Sequence, residues 1–81
     1  MESNVKIEKI PHGMVLRDTK NSVYITRRDM KELLSRFKFK DYNMIGETFT
    51  TTSTLSGVIF MDLWNAEQVF LNYNEVMELF K

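Results

Sequence analysis

His12 is the single histidine of the chain and stands between Pro11 and Gly13. An imidazole can act as a general base, but that chemistry needs a positioned partner and a pocket. A Pro-His-Gly turn offers neither, so His12 reads as a solvated turn residue. Asp18 and Asp62 fall at equivalent places in two similar stretches and could form a paired-carboxylate site. An aspartate opening a polar turn, however, commonly accepts from its own backbone two residues on. Asp29 and Glu75 stand three residues after Thr26 and Asn72, the spacing of a capping box, and are expected to serve helix starts. With no cysteine, disulfides, iron–sulfur clusters and thiolate zinc sites are excluded, and a reducing compartment is suited. The three glycines, Gly13, Gly46 and Gly57, form no phosphate loop, and no acidic or histidine cluster has metal-binding spacing. No catalytic residue, metal or cofactor is therefore expected, and the chain reads as a non-enzyme.

Charge and aromatic placement say more. The net charge is zero, yet residues 17–40 hold eight basic and three acidic residues, and residues 41–81 hold one basic and six acidic. Arg17, Lys20, Arg27, Arg28, Lys31, Arg36 and Lys38 cluster on one strand, turn and helix, a candidate contact for nucleic acid or an acidic partner. Arg27 and Arg28 stand in a first helical turn, where the helix dipole disfavours cations. Against nucleic acid stands the neutral balance of the whole chain. The simpler reading is a solvated helix face. Trp64, with Leu63 beside it, falls at a hairpin tip where the first half has Lys20, and a tryptophan on a loop tip is a typical interface anchor. The competing expectation is that it folds back over the hairpin. Tyr73, Phe39 and Tyr42 are further candidate partner-binding residues.

These residues must be positioned by a repeated element. Residues 13–18, Gly-Met-Val-Leu-Arg-Asp, align with residues 57–62, Gly-Val-Ile-Phe-Met-Asp, at an offset of 44. After a two-residue insertion the match resumes, Val23-Tyr24-Ile25 against Val69-Phe70-Leu71. Each half then enters a helix through its capping box. Met30, Leu33, Leu34 and Phe37 recur at helical spacing, as do Val76, Leu79 and Phe80. Upstream of each helix lie β-branched and aromatic runs, at residues 14–17 and 22–25 and at 58–63 and 68–71. A further strand is expected before each, at residues 5–10 and 48–55. In the latter, Thr48, Thr50, Thr52 and Thr54 share one face, as suits an exposed edge. Residues 58–61 are apolar without alternation, which predicts a strand covered on both faces. The expected fold is α+β: a duplicated β-β-(β)-α unit, with copies at about residues 5–38 and 48–81. One antiparallel sheet of four to six strands would carry two helices on one face. If its other face is bare, that face is a candidate for docking or dimerisation.

The length of 81 residues gives one domain, and the 43% hydrophobic fraction is that of a globular chain. A chain this short buries only about 60% of its unfolded surface, so modest stability follows. Residues 1–10 lack a leader pattern and the longest apolar run is too short for a bilayer, which predicts a soluble cytoplasmic protein. The chain looks like a complete small reading frame of the type found in phages or mobile elements. The leading expectation is a small protein-binding module, an inhibitor or adaptor of a larger macromolecular machine. The alternative is nucleic-acid binding through the basic first helix. Homodimerisation, with basic half meeting acidic half, is a third.

Overall fold

The computed structural model describes residues 5–81; the first four residues of the stretch read as leaderless lie outside the described residues. Seven strands form: β1 (Lys6–Ile10), β2 (Gly13–Arg17), β3 (Ser22–Thr26), β4 (Met44–Ile45), β5 (Phe49–Ser53), β6 (Gly57–Asp62) and β7 (Gln68–Asn72). Helix α1 (Arg27–Lys38) follows β3, and α2 (Tyr73–Met77) follows β7 and ends in a 3₁₀ turn, Glu78–Phe80. The protein is α+β, with two antiparallel sheets in strand orders β1-β2-β3 and β4-β5-β6-β7. Alternation sends Met14, Leu16, Val23 and Ile25 from the first sheet, and Phe49, Val58, Phe60, Val69 and Leu71 from the second, into one core. Leu33 and Phe37 of α1 join it, as do Val76 and Leu79 of the C-terminal segment, whereas Met30 and Leu34 are half-buried and Phe80 is exposed.

One continuous sheet was expected and two are found. The free edge of β3 meets side chains instead of a strand. Tyr24 N donates to Asp62 Oδ2 at 3.3 Å, Thr48 Oγ1 donates to Tyr24 O at 2.6 Å, and Ser22 N donates to Glu67 Oε1 at 3.0 Å. With its edge groups satisfied in this way, the ladder ends at β3. β3 packs against β5, β6 and β7 in turn, so it crosses the second sheet instead of extending it. Each helix packs on the last two strands before it, α1 on β2 and β3, α2 on β6 and β7.

The two hairpins share a register. Met14 faces Ile25 and Leu16 faces Val23; Val58 faces Leu71 and Phe60 faces Val69. Gly13 pairs with the helix-capping Thr26, and Gly57 with the helix-capping Asn72. The turns differ in length: Asp18 N donates to Asn21 O, but Asp62 N reaches Glu67 O, so the second turn is two residues longer.

At the start of α1, Thr26 Oγ1 accepts from Asp29 N at 3.2 Å, as the motif predicts. The buried Asp29 carboxylate does not complete the box; its Oδ2 accepts from Glu47 N at 2.7 Å and ties the helix to the turn before β5. Asn72 and Glu75 form the full reciprocal box. α1 ends with Asp41 N donating to Arg36 O and Lys40 N to Phe37 O, a Schellman pattern with Lys40 at φ 61°. Glycine is usual there, because a side chain in the left-handed region costs about 1–2 kcal/mol.

β5 was expected at an edge, and β4 now covers it. Met44 and Ile45 pair with Thr51 and Thr50, too short a strand to be read from a pattern. Beyond them Asn43 takes over, its Oδ1 accepting from Ser53 N at 3.0 Å and its Nδ2 donating to Ser53 Oγ at 3.0 Å.

Candidate functional site

The registers define the outer face of the four-stranded sheet. Ile45, Thr50, Met61 and Gln68 form one row across it, and Thr52, Ile59 and Phe70 the next. None of the seven is charged. Ile45 is 84% exposed, Phe70 is exposed, and Ile59 and Met61 are half-buried. Double coverage of β6 was expected; its inner residues Val58 and Phe60 are buried, but Ile59 and Met61 are only partly covered. Their apolar character therefore belongs to a surface. The Phe70 ring lies over Gly57, where an added Cβ would come 2.8 Å from Phe70 Cζ. On the outer face of the first sheet the rows are Lys6, Arg17, Ser22 and Glu8, Val15, Tyr24. Arg17 pairs there with Glu8 at 3.4 Å. One sheet thus shows charge outward and the other shows none.

Leu63 continues β6, its N donating to Thr48 O at 2.9 Å. Asp62 Oδ1 then accepts from Trp64 N at 2.8 Å and Asn65 N at 3.3 Å, and Ala66 turns through φ 59°. Trp64 is 87% exposed and Leu63 46%, so the indole does not fold back over the hairpin. Asp18 organises the first turn alike, accepting from Lys20 N at 2.8 Å and Asn21 N at 2.6 Å. Trp64 and Lys20 occupy matching places, and each aspartate serves its own turn.

The other aromatic candidates gather elsewhere. Tyr73 follows the end of β7 that faces Gly57, a full strand length from the Asp62 turn. Its hydroxyl donates to Thr54 O at 2.6 Å, and its ring centroid lies 5.2 Å from that of Tyr42. Tyr42 stands edge-on to Phe37 at 5.1 Å, which reaches Phe60 at 6.0 Å. Tyr42 and Tyr73 therefore extend the core outward, while Phe39, at the C-cap of α1, is 79% exposed. Beside this cluster Phe37, Lys38, Lys40, Tyr42, Met77 and Phe80 line a groove of about 250 Å³. Met77 and Lys40 were not foreseen as site residues. The groove joins segments far apart in the chain, which no local pattern announces.

The basic cluster divides. Arg17 is paired with Glu8, Arg28 with Glu47 at 3.4 Å, and Arg36 with Glu32 at 3.1 Å and Asp41 at 3.3 Å. Such exposed pairs contribute about 0–1 kcal/mol each. Lys20, Arg27, Lys31 and Lys38 have no carboxylate partner among the described residues. Arg27, Lys31 and Lys38 follow one side of α1, at i, i+4 and i+11.

His12 is exposed, and its carbonyl accepts from Arg27 N at 2.7 Å and from the Tyr24 hydroxyl at 3.3 Å. Among the described residues no group of three His, Cys, Asp or Glu could hold a metal ion. No described helix is long and apolar enough to cross a membrane. No match to the chain was found among protein-family models, curated proteins or solved structures.

Proposed function

We propose that the chain is a non-enzymatic protein-binding module, an inhibitor or adaptor of a larger assembly in the cytoplasm. It docks through the outer face of the four-stranded sheet and the adjoining Leu63–Trp64 tip. The observation that carries this reading is an uncharged sheet face running up to a tryptophan 87% exposed. Interface cores are depleted in charge and enriched in aromatic residues and methionine, and tryptophan is prominent among hot spots. Scattered exposed apolar residues need no explanation, but Ile45, Ile59, Met61 and Phe70 share two adjacent rows.

The same reading takes the chain as two copies of one unit. Its support is the common hairpin register, the matching aspartate turns and the two capped helices. Duplication lets one copy keep a polar outer face while the other evolves a docking face.

The test is an affinity pull-down from source-cell lysate, with and without nuclease, using the chain and a Leu63→Ala, Trp64→Ala variant. A stoichiometric protein that survives nuclease and is lost with the variant supports the reading. A protein retained equally by both forms rejects this face as the docking site.

Arg27, Lys31 and Lys38, without a carboxylate partner among the described residues, favour nucleic acid as the second reading. Three phosphate contacts would give a log–log salt slope of about −3. Recovery that collapses on nuclease treatment would select it.

A further inference from the structure

We propose that the groove between the end of α1 and α2 is a second binding site, which takes an acidic peptide segment with a leucine or aromatic anchor. Its lining is largely apolar, with the side chains of Phe37, Tyr42, Met77 and Phe80. Met77 is 60% exposed although it is a long apolar side chain, while its neighbour Val76 is buried. At about 250 Å³ the space is smaller than the roughly 300–1,000 Å³ of small-molecule sites, and suits one or two side chains of a partner.

The rim supplies the charge. Lys38 and Lys40 line the groove, and neither has a carboxylate partner among the described residues. The nearby acids are engaged: Asp41 faces Arg36 at 3.3 Å, and Glu78 faces Lys81 at 3.3 Å. Among the described residues the positive charge beside the apolar lining is thus uncompensated, and the complementary ligand carries carboxylates flanking an apolar residue. Arg27 and Lys31, on the same side of α1 as Lys38, continue the cationic track toward the helix start.

A second observation points to the same place. Lys40 holds φ 61° at the position where a helix end usually has glycine. Strained backbone of this type concentrates at ligand-binding positions. A lysine there gives up conformational ease and gains a cation on the groove rim. Nucleic acid fits less well, because only the rim would meet phosphate and the apolar lining would gain little.

The experiment titrates the ¹⁵N-labelled chain with a short acetylated peptide, Asp-Glu-Asp-Leu-Phe-Asp-Glu-Asp, followed by amide shifts. Two control peptides replace all acids by lysine, or Leu-Phe by Ser-Ser. The expected result is shifts at Lys38, Lys40, Tyr42, Met77 and Phe80, and affinity about tenfold or more weaker for both controls. Lys40→Gly and Met77→Glu should each weaken the acidic peptide by a similar factor. Glycine suits the backbone at position 40, so that variant keeps the fold and the test stays readable. Equal binding of the lysine control, shifts confined to the Leu63–Trp64 tip, or no shifts at millimolar peptide would overturn the proposal. So would a short oligothymidine shifting these amides where the peptide does not, which would assign the groove to nucleic acid. The outcome is independent of the sheet-face reading, because the two surfaces report through different amides.

Discussion

The carboxylate of Asp62 links two strands that share no ladder: Oδ2 accepts from Tyr24 N at 3.3 Å on β3, while Oδ1 holds Trp64 N at 2.8 Å in its own turn. One buried side chain therefore serves both the crossing of the sheets, together with Thr48 and Glu67, and the shape of the tip. Hydrogen bonds to a charged acceptor contribute about 1.5–3 kcal/mol. Asp62→Ala should cost about 3 kcal/mol in urea denaturation, and Asp62→Asn less, since the amide oxygen can still serve one donor. A loss under about 1 kcal/mol for the alanine variant would show that the sheets are held by core packing alone.

Leu63→Ala combined with Trp64→Ala should leave the fold intact, because both side chains are exposed. Partner affinity should fall by at least about 2 kcal/mol, roughly thirtyfold, in the hot-spot range. Calorimetric titration against the captured partner measures this, and unchanged affinity would remove Trp64 from the interface.

Thr51 lies buried between Met44 and Phe60 in the ladder, and its Oγ1 has no hydrogen-bond partner among the described residues. Leaving a buried hydroxyl unsatisfied costs about 1–3 kcal/mol. Thr51→Val keeps the β-branched shape and removes the polar atom, so it should raise stability by about 1 kcal/mol. A decrease in the unfolding midpoint would mean that the hydroxyl is bonded in solution.

Lys40→Gly relieves a left-handed side chain worth about 1–2 kcal/mol, offset by about 0.5–1 kcal/mol of extra freedom in the unfolded chain. The net expectation is a gain of about 0.5–1 kcal/mol, read by denaturant titration at constant m-value. A net loss would place the lysine side chain among the contacts that hold the end of α1.

The sequence announced features that depend on neighbours in the chain. Thr26 and Asn72 cap helices and the aspartate turns hold their own backbone through contacts within a few residues, and the inward face of α1 at Leu33 and Phe37 follows from helical spacing alone. The division into two sheets was hidden, since alternation tells which face of a strand is buried and nothing about its edges. The edge of β3 is closed by Asp62, Thr48 and Glu67, residues about 24–45 positions away in the chain. Spacing alone places Asp29 in a capping box, but its carboxylate serves the distant backbone N–H of Glu47 instead. Trp64 is legible as a tip residue, but the groove is not, because its lining comes from the end of α1, the loop after it and the C-terminal segment, which are far apart in the chain.

An uncharged sheet face with exposed apolar residues puts a protein at risk of fibre growth if the sheet's border can also accept strands. Asn43 bears on that hazard. Its side-chain amide takes the place of the peptide group that a longer β4 would supply, and it occupies both Ser53 N and Ser53 Oγ. The border beside β5 is thereby sealed where β4 runs out. At Ser53 the chain thus keeps an uncharged outer face while leaving an incoming strand no free N–H to pair with.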